Sequence, residues 1–150
     1  MNILKFGHFI HESKDADHLL YYAFDWDDNI LNMPTVIHME KKEGETWIPV
    51  DVSTAKFAIV RNDLENYRIS NDAFCEFRDS GPRGDDAFLI DVKDAILQNR
   101  LGPAWGDFIE CLTHGSIFAI ITARGHESPA MRKGIEYIID YILTPGQQEQ

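Results

Sequence analysis

The sequence is poor in cysteine and in positive charge. It contains two cysteines, Cys75 and Cys111, so a single chain can build neither a disulfide framework nor a four-thiolate zinc site. Lysine and arginine total 14 against 25 aspartate and glutamate residues, and the resulting net charge of −11 repels a phosphate backbone. Nucleic acid is therefore disfavoured as a partner, although binding through a local basic groove remains an alternative.

Long apolar segments are also missing. The longest apolar stretches, such as that from Ile117 to Ala123, are far below the roughly 20 residues that a membrane span needs. Acids and histidines occupy the N-terminal positions where a signal peptide would have its apolar region. We therefore expect no membrane partner and, given the low cysteine content, a cytoplasmic location.

Two short apolar runs predict buried strands. Residues 19–24 and 117–121 show no polar alternation, which is typical of strands buried on both faces of a parallel sheet. Between them, β-prone runs at 35–40 and 46–52 are separated by a loop that contains glycine, and this spacing predicts a hairpin with Pro49 on an edge strand or at a bulge. The run at 56–60 favours another short strand.

Apolar residues at helical spacing predict three helices, over 85–97, over 103–114 and from Ser128 to the stop at Thr144. Ser128 and Pro129 suit the N-cap and first position of the last helix. This order of strands and helices predicts an α/β fold with a parallel sheet and helices on both faces. No pattern in the sequence indicates the oligomeric state.

Polar side chains directly follow both predicted buried strands. Asp25 and Asp27 come after the first strand, and Thr122, Ala123 and Arg124 come after the second. In open α/β sheets, ligands bind beyond the carboxyl ends of the strands. A carboxylate with a nearby backbone carbonyl is half of a Mg²⁺ site, and a hydroxyl with backbone N–H groups can hold a phosphoryl group. The sequence therefore predicts a site for Mg²⁺ and phosphate at these strand ends.

These strand ends resemble two motifs of the haloacid dehalogenase-like (HAD) phosphohydrolases. The first motif is an apolar strand followed by Asp-x-Asp-x-Thr/Val, and residues 24–29 look like it. The second is an apolar strand that ends in Thr or Ser, as residues 117–122 do. The resemblance implies a HAD-like Rossmannoid domain over 1–150, with a cap insertion at about 33–100 that contains the hairpin.

The resemblance also implies a chemistry for each site residue. The protein would be a Mg²⁺-dependent phosphohydrolase or phosphotransferase that acts on a small phosphorylated molecule. Asp25 would be the nucleophile that forms an aspartyl-phosphate, and Asp27 would be the general acid and base. Both carboxylates would belong to the metal site. Thr122, Ala123 and Arg124 would bind the substrate.

The chain departs from the family pattern in ways that leave alternatives open. Asp28 stands where the family usually has Gly, and Asn29 stands where it has Thr or Val. The family's later Lys or Arg and its last acidic motif have no clear counterpart after Thr122. Either the chain is a C-terminally truncated piece of a longer protein, or it is a catalytically degenerate HAD-like binding or regulatory module. A receiver-like phosphoacceptor domain fits less well, because both acids lie on one turn.

Overall fold

The structure is a computed structural model that describes residues 21–148. Leu19 and Leu20, predicted at the start of the first strand, lie outside the described residues. In chain order the elements are β1 (Tyr21–Asp25), β2 (Ile37–Glu43), β3 (Thr46–Val52), α1 (Thr54–Val60), β4 (Tyr67–Ile69), a 3₁₀ turn (Cys75–Phe77), α2 (Ala87–Leu97), α3 (Trp105–Thr113), β5 (Ile117–Ile121), α4 (Ser128–Tyr141) and α5 (Pro145–Gln148).

Strands β1 and β5 pair in parallel, in a register that runs from Tyr21 opposite Ile117 to Asp25 opposite Ile121. Their carboxyl ends therefore meet at one edge. The predicted combination of helices with a parallel strand pair is confirmed, as part of a mixed α/β fold that also contains an antiparallel sheet. The prediction that both strands are buried on both faces is wrong, because Ile117 and Ile121 are 49% and 59% exposed. Within residues 21–148 this sheet has two strands, so each of them has one neighbour.

The second sheet is antiparallel and has the strand order β3-β2-β4. The predicted hairpin is confirmed as β2 and β3, with Gly44 in its loop at a φ of +64°. Pro49 lies on the edge strand β3, where a missing N–H group is tolerated. The strand predicted at 56–60 is wrong, because this segment forms α1, whose first turn is capped by the Ser53 hydroxyl accepting from the Lys56 N–H.

The three predicted helices are confirmed as α2, α3 and α4. The last of them begins at Ser128, so the predicted N-cap at Ser128 is wrong: the N-cap is Glu127, whose extended backbone precedes the first turn. Pro129 lies in that first turn, where its missing N–H group is tolerated. Within residues 21–148, no helix has the length and apolar character needed to cross a membrane.

Residues 21–148 form two hydrophobic cores, one with residues of the parallel pair and one with residues of the antiparallel sheet. The first contains Trp26, Phe88 and Phe108, and it joins the parallel pair to α2, α3 and α4. The second lies under the antiparallel sheet, with members from Ile37 to Phe77. It falls within the insertion predicted at about 33–100, whereas α2, near the end of that range, packs in the first core. The cap insertion itself stays a prediction.

Candidate functional site

The turn after β1 is anchored by one buried side chain. Trp26 is fully buried, with its ring 5.1 Å from Phe88 and 6.0 Å from Phe108. The Trp26 carbonyl accepts from the Ile30 N–H at 3.1 Å, which closes the turn around this anchor. Asp25 and Asp27 flank Trp26 in the chain, and both of these acids line a cavity.

The rest of this turn is held by the segment before α3. The Gly102 N–H donates to the Ile30 carbonyl at 2.8 Å, and the Ala104 N–H donates to the Asn29 carbonyl at 2.8 Å. A Cβ on Gly102 would lie 2.2 Å from the Asn29 carbonyl oxygen, so only glycine allows this approach. Asp28 has a φ of +57°, in the left-handed region that Asp and Asn tolerate better than most residues.

The loop after β5 brings the second predicted motif to the same edge. Asp25 pairs with Ile121, so Thr122 is the first residue beyond the parallel pair. The Thr122 hydroxyl accepts from the Arg124 N–H at 3.2 Å. All five predicted site residues (Asp25, Asp27, Thr122, Ala123 and Arg124) line one cavity of about 830 Å³. The structure therefore brings the two motifs together.

Arg124 and Asp27 form a two-point ion pair inside this site. Arg124 Nε donates to Asp27 Oδ2 at 2.7 Å, and Nη2 donates to Oδ1 at 2.6 Å. The arginine is 7% exposed, and its guanidinium lies 4.7 Å from the Phe77 ring centre. Both oxygens of Asp27, the predicted acid–base residue, therefore accept from Arg124, which the sequence predicts to bind the substrate.

A buried polar chain continues from this pair. Arg124 Nη2 also donates to Thr35 Oγ1 at 2.9 Å, and the Thr35 hydroxyl donates to Asp91 Oδ2 at 2.5 Å. Arg83 donates to both Asp91 oxygens, at 2.6 Å and 2.9 Å. Thr35 and Asp91 are almost fully buried. Charges of alternating sign, bridged by the Thr35 hydroxyl, fix Arg124 in one orientation.

Asp25, in contrast to Asp27, has no cationic partner among residues 21–148. Its Oδ1 accepts from the Trp26 N–H at 2.8 Å. Partial burial raises the pKa of Asp25, the Trp26 hydrogen bond opposes that rise, and the charges of Asp27 and Asp28 add to it. The unfavourable negative charge at this point would be relieved by a cation.

The carboxylate oxygens of this site fit Mg²⁺ better than a metal that takes all of its ligands from the protein. Within residues 21–148, no three His, Cys, Asp or Glu side chains are grouped to hold a metal ion. Mg²⁺ is commonly bound by one or two carboxylates together with substrate phosphate and water. Asp25, with Asp28 on the same cavity, provides such a set. Asp27, the other predicted ligand, would have to share its oxygens with Arg124.

His126 is buried beside the site but does not extend its polar surface. Its ring centre lies 5.2 Å from that of Phe88. Burial and the nearby Arg124 charge lower the pKa of His126, so its neutral form is favoured. Its ring packs against Phe88, a residue of the first core.

Sequence patterns miss the residues that complete the site from a distance. Thr35 and Asp91 carry no motif, and only their positions in the fold connect them to Arg124. Phe57 and Phe74, which line the same cavity, belong to apolar segments that resemble ordinary core. Nothing local would have distinguished them.

Comparisons with family models, with curated proteins and with solved structures found no match. The case for a function therefore depends on the two strand-end motifs and on the geometry of the cavity that they line.

Proposed function

We propose that the protein is a HAD-like, Mg²⁺-dependent phosphohydrolase or phosphotransferase that acts on a small phosphorylated molecule through Asp25. One observation carries the proposal. Asp25 is the last residue of β1, Thr122 directly follows the end of the neighbouring parallel strand β5, and both residues line one cavity. A nucleophilic carboxylate and a phosphate-binding hydroxyl need this proximity to act on the same phosphorus atom.

The backbone of the first turn supports the proposal. Asp28 stands at the position where the family usually has Gly. Its φ of +57° lies in the region that favours glycine, and aspartate is among the side chains that enter this region at low cost. Asp28 therefore occupies a backbone conformation that glycine adopts freely.

The proposed reaction has two displacements. First, an Asp25 oxygen bonds to phosphorus while the ester P–O bond breaks, and the proton of Asp27 passes to the leaving oxygen. Water then bonds to phosphorus and gives a proton to Asp27, while the bond between the Asp25 oxygen and phosphorus breaks. This step releases inorganic phosphate and restores the Asp25 carboxylate. For Asp27 to carry that proton, the contact with Arg124 has to open at one oxygen.

The remaining groups would bind the phosphoryl oxygens. The Thr122 hydroxyl and the Ala123 N–H donate hydrogen bonds at the strand end. Asp25 and Asp28 would hold Mg²⁺, which neutralises charge so that two anions can approach. Arg124 would orient Asp27, because its guanidinium is already engaged by Asp27 and Thr35.

We also propose a cytoplasmic location. Cys75 and Cys111 are both free thiols and both are buried. Buried thiols that form no disulfide suit a reducing compartment.

A second candidate function is a binding or regulatory module on the same scaffold, without catalysis. The observation that favours it is the double contact of Arg124 with Asp27, which engages both oxygens of the expected acid–base group. If this contact never opens, the leaving oxygen receives no proton from Asp27. The cavity would then hold a ligand through groups other than Asp25, and no phosphoryl group would be transferred.

Hydrolysis of a small aryl phosphate with Mg²⁺ tests the first candidate. We expect Asp25→Asn to lower the rate by on the order of a thousandfold or more, because the nucleophile is lost. Asp140→Asn makes the same chemical change on the exposed face of α4 and should leave the rate unchanged. Chelation of Mg²⁺ should abolish the activity of the wild type. An equal rate in Asp25→Asn would exclude Asp25 as the nucleophile.

Binding of Mg²⁺ with beryllium fluoride, a phosphate mimic, separates the two candidates. A catalytic site should bind the mimic in the wild type and lose that binding in Asp25→Asn. A degenerate module should show no binding that depends on Asp25.

A further inference from the structure

The cavity has an aromatic side in addition to its acidic end. Three phenylalanines form it: Phe57 on α1, and Phe74 and Phe77 at the 3₁₀ turn. We refer to these three residues as the aromatic wall. Phe57 and Phe74 meet edge to face at 5.5 Å, and Phe74 and Phe77 meet at 5.9 Å. Phe74 is 44% exposed, so its ring is available to a molecule in the cavity.

A cation lies beside this wall. Arg78 lines the same cavity and its side chain is 47% exposed. Its Nη2 donates to Asp72 at 2.9 Å. A guanidinium has five N–H donors in a planar fork, so Arg78 keeps donors for a ligand beyond the one that Asp72 accepts.

From this arrangement we propose that the substrate is the phosphate ester of a compound with a flat heteroaromatic ring, of the nucleoside monophosphate class. The ring packs on the aromatic wall and its acceptor atoms face Arg78, while the phosphate reaches Asp25 and Thr122. The position of the phosphate rests on the proposed function, whereas the position of the ring does not.

Size and polarity favour this class over an alkyl phosphate. A cavity of about 830 Å³ is within the range that holds a compact organic molecule. An alkyl chain against the wall would cover part of the Arg78 guanidinium without accepting a hydrogen bond, which is unfavourable. A ring with nitrogen or carbonyl acceptors both stacks on phenylalanine and satisfies arginine.

The test compares the binding of four probes to the wild-type protein by calorimetry: adenosine monophosphate, adenosine, ribose 5-phosphate and hexyl phosphate. We expect adenosine monophosphate to bind about fivefold or more tightly than ribose 5-phosphate or hexyl phosphate, since stacking of one base on an aromatic side chain is worth at least that. Adenosine should bind without Mg²⁺. Equal affinity for hexyl phosphate or ribose 5-phosphate would overturn the proposal.

Variants test the wall directly. Phe74→Leu and Phe57→Leu should each weaken adenosine binding several-fold and leave the affinity for ribose 5-phosphate unchanged. Tyr141→Leu removes an exposed aromatic ring of α4, outside the cavity, and should change neither affinity. Because Phe74 is partly exposed and the wild-type probe series needs no variant, a folding defect in one variant leaves the test intact. Unchanged adenosine binding in both folded variants would overturn the proposal.

Failure of the proposed function gives a different pattern. If adenosine binds at the wall and no phosphate is released from adenosine monophosphate, the phosphohydrolase proposal fails and the ring site stands. If ribose 5-phosphate is hydrolysed as fast as adenosine monophosphate, with Asp25 required, the phosphohydrolase stands and the ring site fails.

Discussion

Arg124 donates to both carboxylate oxygens of Asp27, at 2.6 Å and 2.7 Å, across 97 residues of sequence. This pair joins the turn after β1 to the loop after β5. It therefore fixes the relative position of the two strand ends that carry Asp25 and Thr122. The same contact decides whether Asp27 can exchange a proton, so it links the stability of the site to its chemistry.

Removing the arginine should be costly. Arg124→Gln leaves the Asp27 carboxylate in a largely buried site without its counter-charge, and we expect a loss of about 3 kcal/mol in the free energy of unfolding. Arg132→Gln removes an exposed arginine that pairs with Glu136 on α4, and it should have little effect because exposed pairs contribute little. Urea denaturation of the two variants measures both. Equal stability of Arg124→Gln and wild type would mean that the pair does not hold the site together.

The contact of Gly102 with the first turn should also be sensitive. A methyl group at this position meets the Asn29 carbonyl, so Gly102→Ala has to displace the turn, and we expect a loss of about 2 kcal/mol. Gly106→Ala, in α3 with open space around its Cβ, should instead add about 0.5 kcal/mol through helix propensity. Thermal unfolding distinguishes the two signs. A stabilised Gly102→Ala protein would show that the turn is not closely packed there.

The charged Asp25 side chain should lower the free energy of unfolding. Its pKa in the folded protein is raised above the ordinary 3.8, so its charged form is less favourable in the folded state than in the unfolded chain. The penalty is fully present above the raised pKa and disappears as the pH falls below 3.8. Asp25→Asn should therefore have a higher Tm than wild type at neutral pH, with the difference shrinking in acid. A lower Tm at neutral pH would contradict the anionic site described here.

His38 should make stability depend on pH in the opposite range. Its Nδ1 lies 2.7 Å from Asp51 and its Nε2 lies 3.2 Å from Glu76. The hydrogen bond to Asp51, together with the charges of both acids, raises the pKa of His38 above 6.5. Its contribution is fully present below 6.5 and is lost as the pH rises through the raised pKa.

The Tm of wild type minus that of His38→Gln should accordingly fall as the pH rises from 6.5 through the raised pKa of His38. His114→Gln serves as the control, because His114, the residue after α3, contacts the Glu110 backbone carbonyl and pairs with no carboxylate among residues 21–148. A difference that stays constant over this range would show that His38 does not titrate against these acids.

The parts of the fold that depend on local sequence are predictable from it. A continuous apolar run followed by short polar residues is a local signal, and it correctly indicates β5 and the residues of the turn after β1. The Gly-containing loop of the hairpin is also local. Burial in the tertiary structure is not a local signal, so the sequence predicts a fully covered strand at Ile121 although this residue is exposed.

The segment at 56–60 shows how local propensity can mislead. Its apolar and β-branched residues favour a strand, but the Ser53 cap and the contacts of Val60 with the second core favour a helix. The Arg124–Asp27 pair and the aromatic wall depend on segments far apart in sequence. Because neither has a spacing signature, the sequence alone predicts Asp25, Asp27 and Arg124 as site residues but not the pairing of Arg124 with Asp27.

Whether Asp25 carries phosphate during turnover is the most direct test of the central claim. The wild-type protein and Asp25→Asn would be incubated with Mg²⁺ and a small aryl phosphate, quenched in acid, digested and analysed by mass spectrometry. We predict one phosphate on the wild-type peptide that contains Asp25, and no phosphorylated peptide from Asp25→Asn. Phosphate release by both proteins at the same rate, with no phosphate on Asp25, would contradict the claim.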